Sequence, residues 1–271
     1  MDNFFDFTGK VVLVTGASSG IGRATAELFG KLGASVALTY HNNGTGAEEA
    51  VAAISAYSNT TVGGTSGTAT GTAAVRAMAI QVDVTKDGEI ARMVREVEEG
   101  LGPVDILVNN AGSLVERLRT LELTQSRWDE VMNLNATSAF FAAKAVIPKM
   151  LEKGSGTIIN VTSIAGRNGG APGSIHYSSA KAAMTTMTKG LAKEFAQQGI
   201  RVNAVSPGVI ATPFHEVFTT SETMQNLRNT IPMGREGQPS EVASVIAFLA
   251  SDAASYLCGE TIEINGGLLM D

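Results

Sequence analysis

Short apolar runs rich in β-branched residues alternate along this chain with longer segments in which apolar residues recur at helical spacing. Near-continuous apolar strands separated by helices are typical of a parallel sheet that is covered on both faces. The pattern therefore predicts an α/β fold with a single doubly wound, parallel sheet of seven strands. The predicted strands are residues 11–15, 35–40, 77–82, 105–109, 157–161, 201–205 and 261–265.

A glycine-rich turn follows the first predicted strand directly and precedes a helical pattern. It runs from Thr15 to Gly22 and reads TGASSGIG. Glycines let a backbone approach a pyrophosphate closely, and the N-terminus of a helix offers unpaired N–H groups with positive partial charge. We therefore expect a dinucleotide-binding turn, with an ordinary structural turn as the alternative.

The same letters also match the G-x-S-x-G pattern of a hydrolase elbow, which would make Ser18 a nucleophile. The three histidines of the chain, His41, His176 and His215, are the only candidates for its partner. A hydrolase elbow normally follows several strands, whereas this turn follows the first. Hydrolysis at Ser18 is thus the less favoured hypothesis, from another reaction class.

Three polar residues in the second half of the chain suit proton transfer to a carbonyl oxygen. Ser163 follows the fifth predicted strand, and Tyr177 and Lys181 share a helical pattern one turn apart. Such residues lie on one helix face, so the Lys181 ammonium is expected to lower the pKa of the Tyr177 phenol from its usual value of about 10. Taken singly, the three have structural alternatives: a strand-end cap, an aromatic on a helix face and a solvated lysine.

Composition and charge narrow the range of partners. The 271 residues, 44% hydrophobic and with 30 glycines, indicate one globular domain over residues 1–271. A net charge of −6 with scattered basic residues gives no footprint for nucleic acid or an anionic membrane. The single cysteine, Cys258, excludes an internal disulfide and, with three histidines, argues against a zinc site. Chemistry without a metal is expected.

Two further segments bear on location and organisation. The N-terminal letters lack the basic region and apolar run of a signal peptide, and no apolar stretch approaches the roughly 20 residues that span a bilayer. A cytoplasmic protein is expected. Residues 58–74 are rich in Gly, Thr and Ser and are interpreted as a mobile surface loop, with a contact across subunits as the alternative.

A set of motifs in one order gives a family resemblance. After the glycine turn come NNAG at 109–112, Ser163, the pattern Tyr177-x-x-x-Lys181 and then PG at 207–208. With these motifs the chain resembles the short-chain dehydrogenase/reductase family from about Lys10 to Gly267. The resemblance implies a Rossmann-type sheet of order 3-2-1-4-5-6-7, a nicotinamide cofactor, a homotetramer and a substrate lid near residues 209–236.

The resemblance also implies a catalytic tetrad. Its asparagine falls on Asn135, seven residues after Trp128, with Asn133 as the nearby competitor. Ser163 and Tyr177 are then expected to hydrogen-bond the carbonyl oxygen, with Tyr177 as the general acid or base. Lys181 is expected to hold the nicotinamide ribose, and Asn135 to support a water that relays protons.

Residues expected at the cofactor come from the ends of the predicted strands and from the catalytic helix. They are Gly16, Ser18, Ser19, Gly20, Ile21, Gly22, Tyr40, His41, Asn42, Asp83, Val84, Asn109, Ala111, Gly112, Tyr177, Lys181, Pro207, Gly208, Val209 and Thr212.

The form of the cofactor depends on the end of the second strand. An acid there would bind the ribose hydroxyl and repel a 2′-phosphate, but the segment from Thr39 to Asn42 carries none. NADP(H) is therefore favoured over NAD(H). Arg23 and His41 are the nearby candidates to meet the phosphate.

The substrate is left open between keto-sugars and their acids, β-ketoacyl thioesters of an acyl carrier protein, and simple ketones. No basic patch for an acidic carrier is evident, so a free small molecule is favoured and a 3-oxoacyl-acyl-carrier-protein reductase is the alternative. A nicotinamide-binding regulator without catalysis is the third hypothesis. Such a regulator should have lost Ser163, Tyr177 or Lys181, and all three are present.

Overall fold

Seven parallel strands form one sheet in the part of the chain that the computed structural model describes, residues 4–57 and 75–270. Neighbouring strands follow the order β3-β2-β1-β4-β5-β6-β7, and every pair is parallel. The predicted fold class and strand order are confirmed. The strands are β1 (Val11–Val14), β2 (Ser35–Tyr40), β3 (Ala77–Gln81), β4 (Ile106–Asn109), β5 (Gly156–Val161), β6 (Ile200–Pro207) and β7 (Thr261–Ile264).

Helices connect the strands and cover the sheet. They are α1 (Gly20–Lys31), α2 (Gly44–Tyr57), α3 (Glu89–Gly100), α4 (Gln125–Met132), α5 (Ser138–Lys153), α6 (Ala165–Asn168), α7 (Ile175–Phe195), α8 (Pro213–Phe218), α9 (Ser221–Thr230) and α10 (Pro239–Ala250). The expected surface loop at 58–74 lies outside the described residues. Among the described residues, no helix combines the length and the apolar character needed to cross a membrane.

The two faces of the sheet bury two separate cores. Along β1, Val12 and Val14 pack into the core formed with α1, α2 and α10. Val11 and Leu13 point the other way, into the core with α3, α5 and α7. Side chains of a strand alternate between faces, so an entirely apolar β1 requires helices on both sides. This is why the apolar runs predicted the layered fold.

The strand order places the loops that carry the motifs at one edge. Because all strands are parallel, their carboxyl ends meet at the same side of the sheet. The order reverses between β1 and β4, so the loops after these strands leave in opposite directions and open a crevice. The glycine turn after β1 and the NNAG segment after β4 face each other across it.

Candidate active site

A cleft of about 820 Å³ opens at the carboxyl ends of the strands. Its walls come from the loops after β1 to β6 together with α7, α8 and α9. The structure brings most of the predicted residues to these walls. They are Gly16, Ser18, Ser19, Gly20, Ile21, Tyr40, His41, Asn42, Asp83, Val84, Ala111, Gly112, Ser163, Tyr177, Lys181, Pro207, Gly208, Val209 and Thr212.

Two residues expected to contact a cofactor lie behind the wall instead. The side chain of Asn109 is buried and donates to the carbonyl of Ala139 (3.1 Å) and to Oδ1 of Asn160 (3.0 Å). Gly22 lies in α1, where an added Cβ would meet the carbonyl oxygen of Gly16 at 2.6 Å. Asn109 therefore braces the sheet edge, and Gly22 allows α1 to pack against its own turn.

The glycine turn is braced by the loop after β4. The Thr15 hydroxyl accepts hydrogen bonds from the backbone N–H groups of Asn110 and Ala111, both at 3.0 Å. The Asn110 amide donates to the carbonyls of Thr15 and Gly16, both at 2.9 Å. Sequence reasoning missed Thr15 and Asn110 as site residues. The NNAG motif was the signal, since an amide so close to the crevice can tie two loops together.

The glycines of the turn let its backbone lie closer to neighbouring segments than a side chain would allow. Gly16 has φ 62°, and an added Cβ would lie 2.9 Å from the Cα of Ala111. Gly20 has φ 56° and begins α1, whose first turn carries no acidic residue and whose N-cap, Ser19, makes no side-chain capping bond. Such a helix end presents free N–H groups and positive partial charge to the cleft.

The serine, tyrosine and lysine meet at the middle of the cleft. The loop after β5 holds Ser163, whose hydroxyl accepts from the N–H of Ala165 at 3.1 Å and acts to lower the pKa of Tyr177. One turn further along α7, Lys181 Nζ lies 5.6 Å from the centroid of the Tyr177 ring. It donates to the carbonyl of Val161 at 2.8 Å, and the residue is 3% exposed.

Burial governs the charges of this pair. Loss of solvation raises the pKa of Tyr177 to about 12, although the nearby Ser163 hydroxyl acts in the opposite direction. Burial lowers the pKa of Lys181 to about 8. The expectation that Lys181 lowers the Tyr177 pKa is therefore wrong for the protein alone. The ammonium bonds the Val161 carbonyl behind the ring, and desolvation of the phenol exceeds the benefit of a cation at that position.

Asn135 lies in a π-helical turn, Asn133–Thr137, between α4 and α5. Its amide nitrogen donates to the carbonyls of Ser113 (2.9 Å) and Val131 (2.8 Å). Its amide oxygen is buried without a protein partner. An added Cβ on Gly112 would contact this oxygen and would lie 3.1 Å from Lys181 Nζ. Of the two competing asparagines, Asn135 is the one whose open acceptor faces Lys181.

At the other end of the cleft, His41 and Asp83 face each other. His41 Nε2 lies 3.9 Å from Asp83 Oδ2. The Asp83 carboxylate accepts from the hydroxyl of Thr85 at 2.6 Å, and this bond lowers its pKa. Arg23 is not on the cleft wall, because its guanidinium pairs with Glu27 and Glu49, both at 2.8 Å. The expectation that Arg23 is available to a phosphate is thus wrong.

The chain is similar over nearly its whole length to proteins of one known family. The sequence model of a family described as Enoyl-(Acyl carrier protein) reductase matches residues 16–269. A 3-oxoacyl-[acyl-carrier-protein] reductase from Synechocystis is 40% identical, with 97% of this chain and 98% of that protein covered. One from Staphylococcus epidermidis is 39% identical, with 96% and 99% covered.

The chain belongs to the short-chain dehydrogenase/reductase family. Among solved structures, a protein of Sinorhizobium meliloti described as a short-chain alcohol dehydrogenase superimposes with a TM-score of 0.87 at 34% identity, covering 98% of both chains. Levodione reductase superimposes with a TM-score of 0.86 at 31% identity, covering 96% of this chain and 98% of that one. As a member of the short-chain dehydrogenase/reductase family, the protein is an oxidoreductase of C=O and CH–OH groups that uses a nicotinamide dinucleotide.

The residues present fit such a cofactor. Gly16 and Gly20 line the cleft without side chains, and the uncapped N-terminus of α1 offers backbone N–H groups there, as a pyrophosphate needs. The Asn135 oxygen supplies an acceptor that the protein itself leaves unused. The hydrolase alternative gains no support, because no hydrogen bond joins the Ser18 hydroxyl to an imidazole among the described side chains. His176 is buried, with Nε2 3.1 Å from the carbonyl of Glu116.

The substrate end carries features that sequence reasoning only partly found. Phe214, which falls within the expected lid at 209–236, lies with its ring 5.6 Å from that of Tyr177 and 4.9 Å from that of Phe218. Arg117, in the loop after β4, also lines the cleft and was missed. No motif around Arg117 in the sequence indicated this position. The side chain is placed by its hydrogen bond to the carbonyl of Phe218, which lies 101 positions further along the chain.

Proposed function

We propose that this short-chain dehydrogenase/reductase reduces the ketone or aldehyde of a small molecule to an alcohol, or runs the reverse reaction, with Tyr177 as the proton donor and acceptor. The observation that carries the proposal is that Ser163 and Tyr177 lie together on the cleft wall, with Lys181 Nζ 5.6 Å from the Tyr177 ring one turn along α7. Two hydroxyl donors on one stretch of cleft wall suit an oxygen that gains charge during the reaction.

The protonation states fit the reductive direction. With a pKa near 12, Tyr177 keeps its proton at neutral pH and can give it to an alkoxide. Lys181, with a pKa of about 8, is largely charged at neutral pH and faces the open acceptor of Asn135. In this proposal Lys181 would hold a ribose hydroxyl and Asn135 a water that replaces the lost proton. The nicotinamide supplies or accepts the hydride when it is bound.

A carbonyl panel assayed by the absorbance of the reduced cofactor tests the proposal. Tyr177→Phe should lower turnover of every substrate by about 10²- to 10⁴-fold, since a positioned general acid contributes that much. Tyr256→Phe, at a fully exposed tyrosine, is the matched control and should behave like the wild type. Undiminished turnover by Tyr177→Phe, with cofactor binding intact by fluorescence, would contradict the mechanism.

A second candidate is the reduction of a 3-oxoacyl thioester on an acyl carrier protein. It is supported by relatives of 37 to 40% identity that carry this name and that this chain matches over nearly their full length. The test compares a 3-oxoacyl thioester on the carrier with the same acyl group on N-acetylcysteamine. A large preference for the carrier form would replace the free small molecule as the substrate.

We further propose NADP(H) as the preferred cofactor. The cleft wall at the end of β2 is formed by Tyr40, His41, Asn42 and Asn43, so the end of that strand places no carboxylate where a 2′-phosphate would lie. His41 is the basic side chain on that part of the cleft wall, since Arg23 is tied to two glutamates. Rates measured with both cofactors decide the matter, and a clear preference for NADH would overturn this choice.

A homotetramer is proposed for the assembly. Two aromatic residues on α5, Phe140 and Phe141, are 42% and 46% exposed and pack ring against ring at 5.4 Å. Neighbouring exposed aromatics on a long helix favour burial against another copy. Light scattering should give four times the chain mass of 28.1 kDa, and a monomer would contradict the proposal.

We also propose that residues 1–271 form a single domain, that a lid lies near residues 209–236 and that the protein is cytoplasmic. The helices α8 and α9 lie within the proposed lid and contribute Phe214, Thr223 and Leu227 to the cleft wall. Limited proteolysis with and without substrate tests the lid, which should be cut more slowly when substrate is bound.

A further inference from the structure

The loop after β4 is fixed by contacts from outside it. His176 Nε2 lies 3.1 Å from the carbonyl of Glu116, and the N–H of Leu118 donates to the carbonyl of Gly173 at 3.1 Å. Val115 has φ 64°, and among the described residues it is the sole non-glycine in the left-handed region. A β-branched residue adopts that conformation only when its surroundings impose it. These contacts flank Arg117, two positions after Val115, so the loop holds its backbone in a defined position.

Arg117 reaches across the mouth of the cleft. Its Nε donates to the carbonyl of Phe218, at the end of α8, at 2.9 Å. A guanidinium carries five N–H donors in a planar fork, so this bond leaves the two terminal nitrogens for another acceptor. The side chain is exposed and lines the cleft.

No carboxylate of the described residues forms an ion pair with Arg117. Its sequence neighbour Glu116 is taken by Arg127 at 3.1 Å. The other charged residues on the cleft wall are elsewhere: His41 and Asp83 face each other at the opposite end, and Lys181 is buried under Tyr177. Arg117 is thus the cation that a ligand at the substrate end can reach.

Aromatic rings connect Arg117 to the reacting point. Phe218, whose carbonyl Arg117 binds, packs against Phe214, and Phe214 packs against Tyr177. A substrate whose ketone lies at the Tyr177 hydroxyl would run along these rings toward the guanidinium. Apolar walls with one terminal cation match an acyl chain that ends in an anion.

We propose that Arg117 is a specificity-determining residue that binds a carboxylate of the substrate, so that the enzyme reduces oxo acids in preference to neutral ketones. This rests on the proposed function, because it assigns the substrate class of the same cleft. A phosphate on the arm of a carrier protein shares the anionic chemistry, and the free carboxylate is the source proposed here.

The test compares methyl-ketone acids with their methyl esters at three chain lengths: 3-oxobutanoate, 4-oxopentanoate and 5-oxohexanoate. The wild type should show a higher kcat/KM for the acid than for its ester at one length or more. Arg117→Gln should lower that acid-to-ester ratio by about tenfold or more, mainly through KM, since a charge-assisted hydrogen bond is lost. Arg117→Lys should recover part of the ratio, because the charge returns without the fork.

A matched control separates direct binding by Arg117 from the electrostatic effect of any positive charge on the loop. Arg119→Gln removes the same charge two positions further along, at an exposed residue that is not on the cleft wall, and should keep the wild-type ratio. A lid contact alone would not move the ratio, because loss of the bond to Phe218 affects acid and ester equally. An unchanged ratio in Arg117→Gln therefore overturns the inference.

The remaining outcomes are also decisive. Should the wild type reduce other ketones of the panel but show no acid preference at any length, the inference fails and the proposed function stands. Absence of reduction of any carbonyl refutes both. In another outcome, Arg117→Gln slows reduction of a carrier-bound 3-oxobutanoyl thioester but leaves the acid-to-ester ratio unchanged. Arg117 then binds the phosphate of the carrier, and the oxo-acid proposal is refuted.

Discussion

At the cofactor end of the cleft, the loops after β1 and β4 are joined by four hydrogen bonds through Thr15 and Asn110. At the substrate end, α8 rests on the wall through the Phe214 ring and the bond from Arg117 to Phe218. The whole of α9 is described and buries none of its residues fully. The cofactor end is built from the loops at the strand ends, and the substrate end depends on a few side-chain contacts. We therefore expect the cofactor end to be rigid and the substrate end to change shape when a substrate binds.

Among the variants that compare the two ends, Gly16→Val should have the largest effect, because it disrupts the turn at the rigid cofactor end. The new side chain would meet the Cα of Ala111 at 2.9 Å and would force a branched residue into φ 62°. We expect the affinity for reduced cofactor to fall by about 100-fold or more, since the backbone no longer approaches the pyrophosphate. Fluorescence titration of the reduced cofactor measures this loss.

The control for this variant is Gly154→Val, at the end of α5. Gly154 has a similar φ, 67°, but an added Cβ there meets nothing within 4 Å. It carries the backbone penalty of about 1–2 kcal/mol without the clash, so cofactor affinity should stay at the wild-type level. Equal losses in both variants would mean that strain alone, and not the shape of the turn, explains the effect.

Lys181→Met should lower turnover and yet stabilise the fold at neutral pH. The folded-state pKa of about 8 lies below the ordinary value of 10.5, so the cost of the buried ammonium is complete below pH 8. It declines as pH rises from 8 to 10.5 and is absent above that. The variant should gain roughly 1–3 kcal/mol at pH 7 and lose this advantage as pH approaches 10.5.

Chemical denaturation at several pH values measures that gain. The exposed Lys189, on the same helix α7, provides the matched control Lys189→Met, which should show no such trend. A variant Lys181→Met that is less stable than the wild type at pH 7 would show that the bond to Val161 outweighs the cost of burial.

Glu236→Gln should have the smallest effect, and it tests whether the substrate end can be loosened without changing the cofactor end. Glu236 pairs with Arg228 of α9 at 3.0 Å; the pair is partly buried but still open to solvent, and solvent-accessible pairs contribute about 0–1 kcal/mol. We expect KM for the carbonyl substrate to rise about two- to fivefold, with cofactor affinity unchanged. Glu130→Gln, which breaks an exposed pair in α4, is the control. Loss of cofactor affinity in Glu236→Gln would mean that the two ends are coupled.

Features set by local sequence patterns could be predicted from the sequence. The strands were predictable because apolar runs such as 157–161 are buried on both faces, and the glycine turn because its letters follow a strand and begin a helix. The spacing of Tyr177 and Lys181 likewise placed both on one face of α7.

The remainder depends on contacts between distant positions. Arg23 could not be assigned correctly because Glu49, 26 positions away, takes its guanidinium. The lid contact of Arg117 spans 101 positions. The pKa of Tyr177 depends on how deeply its hydroxyl is buried, and helical spacing carries no information about that depth.

The most direct test of the account is a titration of Tyr177 itself. The ultraviolet difference between wild type and Tyr177→Phe at 295 nm, followed with pH in the absence of cofactor, isolates ionisation of this one phenol. The account predicts an apparent pKa near 12, raised by burial, so that the group enters reduction as an acid. A pKa below the ordinary value of 10.0 would contradict it and would mean that Lys181, not burial, controls the phenol.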